Sequence, residues 1–311
     1  MNWVNVIEAY LAKQRQLGYS LVSEEQYLLS FARFAEQSCE TELTIKLALC
    51  WANLAPSKSH IAIARRFSAL RPLSRYLSEQ GHSNIILPTH YVGPTHRRLP
   101  PFIFSDADVL QLMSAAAKLF PSNGLRPITI KTLIGLMVSS GLRPGEAVRL
   151  QCQDVCFNDG ALTIQNSKGW RKRIIPIARS TVIALKSYDR IRRKHNPFSK
   201  TGAFFEFDDA QALNIRAADY AFQLTREAAG LMEGLNGRSP RLYDLRHTFV
   251  CKRVTQWYEQ GENVDNRVVQ LSCYLGHKKV SDTYWYLTAI PALMAQAANR
   301  FTACERSGGI S

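Results

Sequence analysis

The chain lacks any uncharged apolar run of about 18 residues, the length that a membrane-spanning helix needs. It also lacks a basic stretch leading into an apolar one near Met1, so no export signal is expected. Cysteine is sparse and odd in number: the seven, at positions 39, 50, 152, 156, 251, 273 and 304, exclude a disulfide framework and fit reduced thiols in a cytoplasmic protein. Cys152 and Cys156 have no second Cys or His pair nearby at ligand spacing, so a zinc site is not expected. No repeat of solenoid period occurs. Acidic residues are in deficit, 25 Asp and Glu against 39 Lys and Arg, and the resulting net charge of +14 suits a polyanionic partner such as nucleic acid. A hydrophobic content of 46% supports real cores and excludes a disordered chain.

What is there is organised in two parts. Apolar residues recur at helical spacing over 2–17, 23–38, 43–54 and 58–79, which predicts a small all-helical domain over 1–81. Residues 82–103 carry Pro88, Gly93, Pro94, Pro100 and Pro101 and read as a linker. The second domain, 104–311, opens with a helix capped near Ser105, followed by an apolar helix over 127–140 that stops at Gly141. Ala161–Gln165 and Arg173–Ile177 read as a β-hairpin, with Pro176 suggesting an edge strand. Helices then return at 179–194, 210–229, 242–258, 264–274 and 290–301. The fold class expected is mainly α with a small β-hairpin or sheet. Most of the excess positive charge lies in the second domain. In the first, Lys58, Arg65, Arg66, Arg71 and Arg75 cluster on the stretch read as one helix and are candidate phosphate contacts, as are Arg97 and Arg98 in the linker.

Five residues carry the chemistry: Arg143 in Gly141-Leu142-Arg143-Pro144-Gly145-Glu146, Lys168 in Ser167-Lys168-Gly169, Arg246 in Tyr243-Asp244-Leu245-Arg246-His247, His277 after Leu275-Gly276, and Tyr286 nine residues later. Phosphodiester transesterification gathers charge on the non-bridging oxygens, and preorganised cations stabilise it. Arginine suits that task because its planar fork donates two parallel hydrogen bonds and keeps its proton.

In this order the motifs resemble those of the tyrosine recombinases, the phage-integrase family, strongly over about 104–290 and by architecture alone over 1–103. The resemblance implies a C-shaped, two-domain DNA clamp, with a helical core-binding (SAM-like) domain and a catalytic domain. It implies that Tyr286 attacks the scissile phosphate to form a 3′-phosphotyrosyl enzyme, that Arg143 and Arg246 bind the phosphate, that Lys168 is the general acid with Lys172 as its rival, and that His277 assists. It further implies recombination sites in double-stranded DNA as substrate, a homotetramer on the synapse, accessory DNA-bending proteins, and no metal or nucleotide cofactor. Integration, excision or resolution of a mobile element, by a nucleoid-associated enzyme, is the expected task.

Three positions depart from the pattern. Tyr243 stands where most members have histidine; it can donate a hydrogen bond to phosphate, but a phenol with a reference pKa of about 10 is a poor proton shuttle at neutral pH. Leu287-Thr288 replaces the usual ending of the nucleophile motif. The interval of 31 residues from Arg246 to His277 is long, and is read as an extended helix and surface loop around 256–265. After Tyr286, Ile290, Leu293, Met294, Ala297 and Phe301 mark a helix face that packs either on its own domain or on a neighbouring protomer. A type IB topoisomerase and a non-catalytic recombinase-like DNA-binding protein are the alternatives.

Overall fold

The computed structural model describes residues 2–82, 84–95, 100–165, 172–232, 237–277 and 279–288, with the side chains of Ser23 and of 285–288 outside that set. The chain divides into two units, Met1–Leu99 and Pro100–Ser311. Among the described residues no helix is long and apolar enough to cross a membrane.

In the first unit three aromatic side chains, Trp3, Phe31 and Trp51, are buried edge to face at 5.2 and 5.5 Å, which ties together α1 (Trp3–Gln16), α2 (Val22–Gln37) and α3 (Ile45–Asn53). The stretch read as one helix over 58–79 is two, α4 (His60–Ala69) and α5 (Arg71–Glu79). The break has a local cause: Pro72 has no N–H to continue the ladder and is tolerated only in a first turn, so the chain restarts at Leu70. Residues 84–95, read as linker, pack on this unit. Leu87 is buried, Arg71 and Arg65 donate to the carbonyls of Leu87 and Thr95 at 3.1 and 2.8 Å, and Tyr91 stacks on Phe67.

The second unit is built around α7 (Arg126–Ser140), whose apolar residues are buried on nearly every side by α6 (Asp106–Ala116), α9 (Arg179–His195), α10 (Ile215–Ala228) and α11 (Asp244–Glu259). The expected hairpin is present as β2 (Ala161–Ile164) and β3 (Arg173–Pro176), antiparallel with Leu162 opposite Ile175. A third strand, β1 (Val155–Cys156), joins the outer side of β2 in the order β1-β2-β3. Two residues are too short for an alternating pattern to announce. Helix α10 begins at Ile215, not at 210, because Asn214 caps it by accepting from the amide of Ala217, and a bridge pairs Glu206 with Ala212 just before.

The long interval between Arg246 and His277 holds the expected extended helix and a second helix at the expected place, joined by the short connection 260–263. The end of α11 packs on α12 (Val264–Leu275) through Val254, Val264, Val268 and Leu271. A short helix α8 (Pro144–Val148) follows α7, and α13 (Ser281–Thr288) closes the described chain. The expected helix over 290–301 lies outside the described residues.

Gly141 ends α7 with φ of +64°, and a Cβ there would collide with the Phe249 ring. Both conditions exclude a side chain. Gly141→Ala is expected to lower the stability of the full chain by about 2 kcal/mol or more, read as a shift in the urea midpoint. An unchanged midpoint would mean that the turn and Phe249 relax freely.

Candidate active site

Two helix ends, of α7 and α12, and two helix starts, of α8 and α11, converge on the site. Directly after the left-handed turn at Gly141, Arg143 adopts an extended backbone as the N-cap of α8, with Pro144 next to it at the helix start. Its amide donates to Glu146 Oε2 at 3.0 Å, and its guanidinium donates to Glu146 Oε1 at 2.9 Å and to the carbonyl of Gly276 at 3.2 Å. About a third of the Arg143 side chain remains exposed, so the guanidinium still opens to solvent.

Arg246, in the first turn of α11, is wholly buried. It donates to the carbonyl of Gly141 at 2.7 Å, to that of Leu275 at 3.1 Å, and to His277 Nε2 at 2.8 Å. A guanidinium only donates, so Nε2 must be the bare nitrogen of this imidazole. Nδ1 then carries the proton and donates to Thr283 Oγ1 at 2.7 Å, which fixes the ring between α11 and α13. Burial, reinforced by the Arg246 and Arg143 charges, lowers the His277 pKa to about 4, and the ring is neutral at physiological pH.

Glu146 is the acidic centre of the group. Burial alone would raise its pKa, but hydrogen bonds from Arg173 and from the Arg143 amide outweigh it and hold the value at about 2. Arg173 reaches both carboxylate oxygens, at 3.0 and 2.8 Å, and donates through Nε to the carbonyl of Tyr274 at 3.1 Å.

Arg143, Glu146, Tyr243, Gly276, His277 and Asp282 line one open cavity of about 890 Å³, and Arg149, Arg226 and Arg241 add charge to its wall. Tyr243 is half-buried at the start of α11, 5.0 Å from the His247 ring centroid and edge-on to it. His247 itself is buried, which lowers its pKa to about 3, and it does not line the cavity. Tyr286 lies on α13, with its side chain outside the described set. Lys168 falls within 166–171, outside the described residues, while Lys172 is exposed just before β3. Tyr284 donates to Asp265 Oδ1 at 3.3 Å, which turns its phenol toward α12.

Of the basic residues in the first unit, Lys58 and Arg75 are exposed and Arg65 and Arg71 are partly engaged as described. Arg66 is different: it is buried, with its guanidinium carbon 4.2 Å from the Trp51 ring centroid, where it cannot present its charge to a duplex. Arg97 and Arg98 lie outside the described residues. The sequence reading missed Arg173, Thr283, Arg149, Arg226 and Arg241 as neighbours of the site. Glu146 was visible only as part of a motif, and the three cavity arginines come from separate segments that carry no shared pattern.

The model of the phage integrase family matches residues 103–291. A putative integrase/recombinase, y4rB, of Sinorhizobium fredii is 32% identical over 298 residues, covering 94% of this chain and 95% of that protein. Tyrosine recombinase XerD of Mycobacterium tuberculosis is 31% identical over 76% of this chain and 72% of its own length. In fold, the chain is similar to a lambda integrase solved as a tetramer bound to a Holliday junction, with a TM-score of 0.62 at 17% identity over 88% of this chain and 77% of that one. The chain belongs to the phage integrase family and is a tyrosine-type site-specific recombinase.

Because the folded values of His277 and His247 lie below the roughly 6.5 of a free imidazole, both contribute stability at neutral pH that is lost as pH falls from about 6.5 toward about 4 and about 3, respectively. The ring nitrogen signals of His277 at pH 7 should show Nδ1 protonated and Nε2 bare, with neutrality kept until about pH 4. A midpoint near the free value would mean that the Arg246 contact does not persist in solution.

Proposed function

We propose that Tyr286 is the nucleophile of a strand exchange reaction and that the cavity between α8, α11 and the start of α13 receives the scissile phosphate. The observation that supports this best is that Arg143, Tyr243 and His277 line a single cavity, with Arg246 bonded to His277 beneath it. In this reading the two guanidiniums and the Tyr243 phenol donate to the non-bridging oxygens. The bare Nε2 of His277 accepts the phenol proton or steers the phenolate once Arg246 turns to phosphate. Attack by the Tyr286 oxygen forms the O–P bond as the bond to the 5′ oxygen breaks, and Lys168 gives that oxygen its proton. The 5′ hydroxyl of the partner duplex then attacks the 3′-phosphotyrosine and returns the phenol. The phosphotyrosyl bond retains the energy of the phosphodiester, so no nucleotide is consumed.

The remaining proposals concern organisation. The first unit, through Lys58, Arg65, Arg71 and Arg75, grips the DNA flank in a two-domain clamp, with Arg66 left out as a packing residue. Four copies assemble on paired sites, as the lambda integrase structure does on a Holliday junction. The chain acts in the cytoplasm on the nucleoid, in the integration, excision or resolution of a mobile element, with DNA-bending proteins as accessory partners. A type IB topoisomerase would rejoin the same duplex, so the junctions in the product distinguish it.

On a nicked suicide substrate, wild type and Tyr284→Phe are expected to form an SDS-resistant protein–DNA adduct, while Tyr286→Phe binds DNA and forms none. Positions two apart on a helix differ by roughly 200°, so the two phenols cannot stand in for one another. An adduct retained in Tyr286→Phe and lost in Tyr284→Phe would move the nucleophile.

Lys168→Ala is expected to lose cleavage of ordinary DNA and to regain much of it on a 5′-bridging phosphorothiolate, whose sulfur leaves without protonation. Rescue of Lys172→Ala in its place would transfer the acid to that residue.

A further inference from the structure

We infer that Arg173 is a positioning residue for strand cleavage, holding Glu146 so that the carboxylate orients Arg143 without capturing it. The inference rests on the proposed roles of Arg143 and His277. Arg173 does not line the cavity; its action is exerted through its neighbours. Its NH1 and NH2 groups meet the two oxygens of Glu146, and its Nε–H meets the carbonyl of Tyr274. Glu146 in turn binds the amide and one guanidinium nitrogen of Arg143, and Arg143 binds the carbonyl of Gly276. The loop of contacts closes sterically, because a Cβ on Gly276 would lie 2.9 Å from an Arg173 guanidinium nitrogen. Strand β3, helix α8 and the turn that carries His277 are thereby fixed to one another.

The charge balance gives Arg173 its specific task. Glu146 is almost fully buried and ionised, and a buried carboxylate seeks as many donors as it can reach. With Arg173 filling both oxygens, Arg143 gives Glu146 a single guanidinium nitrogen, its other terminal nitrogen meets the Gly276 carbonyl, and the partly exposed guanidinium still faces the cavity. Without Arg173, the carboxylate is expected to draw Arg143 into a two-pronged pair and away from the cavity. Lysine cannot replace the fork, since an ammonium is a point charge that does not match both oxygens and the Tyr274 carbonyl together.

The test uses the full chain on its own recombination site, with DNA affinity and the single-turnover rate of the Tyr286 adduct measured separately. Arg173→Gln should bind DNA within about twofold of wild type and form adduct about 10- to 100-fold more slowly, the size of effect that a small misplacement of a catalytic group produces. Adding Glu146→Gln should restore part of the rate, because it removes the carboxylate that captures Arg143, and a residue that merely supports the fold would not be rescued this way. A 5′-bridging phosphorothiolate should leave the Arg173→Gln defect in place. Arg173→Lys, which keeps the charge, should fall between wild type and Arg173→Gln, and it carries the test if the glutamine variant fails to fold by circular dichroism. A wild-type adduct rate in either variant, a double variant slower than Arg173→Gln, or rescue by the sulfur substrate would overturn the inference. A wild-type protein that forms no Tyr286-dependent adduct would instead overturn the underlying mechanism.

Discussion

One buried carboxylate organises the catalytic unit. Glu146 accepts from the amide and guanidinium of Arg143 and from Arg173, and the two arginines in turn donate to the Gly276 and Tyr274 carbonyls, so that α8, β3 and the end of α12 are joined around it. Desolvating a lone carboxylate costs several kcal/mol, and only charged donors with good geometry offset it. The fold must therefore bring both guanidiniums to Glu146, and with them β3 and the turn after α12. Removing one guanidinium leaves the carboxylate dependent on the other, so the two positions are coupled through Glu146.

Arg246 is held in a different way. Its guanidinium is received by the carbonyls of Gly141 and Leu275 and by a neutral His277. Both carbonyls lie at helix C-termini, where the last turn leaves acceptors unfilled and the macrodipole is negative. The left-handed glycines at 141 and 276 end α7 and α12 at that point. Glycine is required twice over, since each Cβ would meet a side chain of the site, Phe249 in one case and Arg173 in the other. The small residues of the motifs are therefore part of the electrostatics, because they allow two helix ends to face one buried arginine.

Much of this was legible in the sequence because it depends on local punctuation. Gly141, Pro144 and Gly276 mark helix ends by conformational rules that need no tertiary information, and the residues next to them are the ones that the ends hold. Periodicity placed α1 to α3, α7 and α9, whose burial follows one face or a continuous apolar run. What failed was long-range or short. β1 has two residues, and the restart at Leu70 was hidden within a continuous helical pattern. Arg66 illustrates the limit most plainly: its neighbours Arg65 and Arg71 look alike in sequence, but only the position of Trp51 decides that this one is buried.

The site also explains how a chain with so much positive charge can keep three guanidiniums near one another without collapse. Arg143 and Arg173 share Glu146, and Arg246 is received by two carbonyls and by His277, while burial together with the neighbouring guanidiniums keeps that imidazole neutral. A protonated His277 would add a further positive charge beside Arg246 and Arg143 and would remove the acceptor that orients Arg246. Neutrality of this ring is thus a condition of the geometry as well as of the chemistry proposed for it.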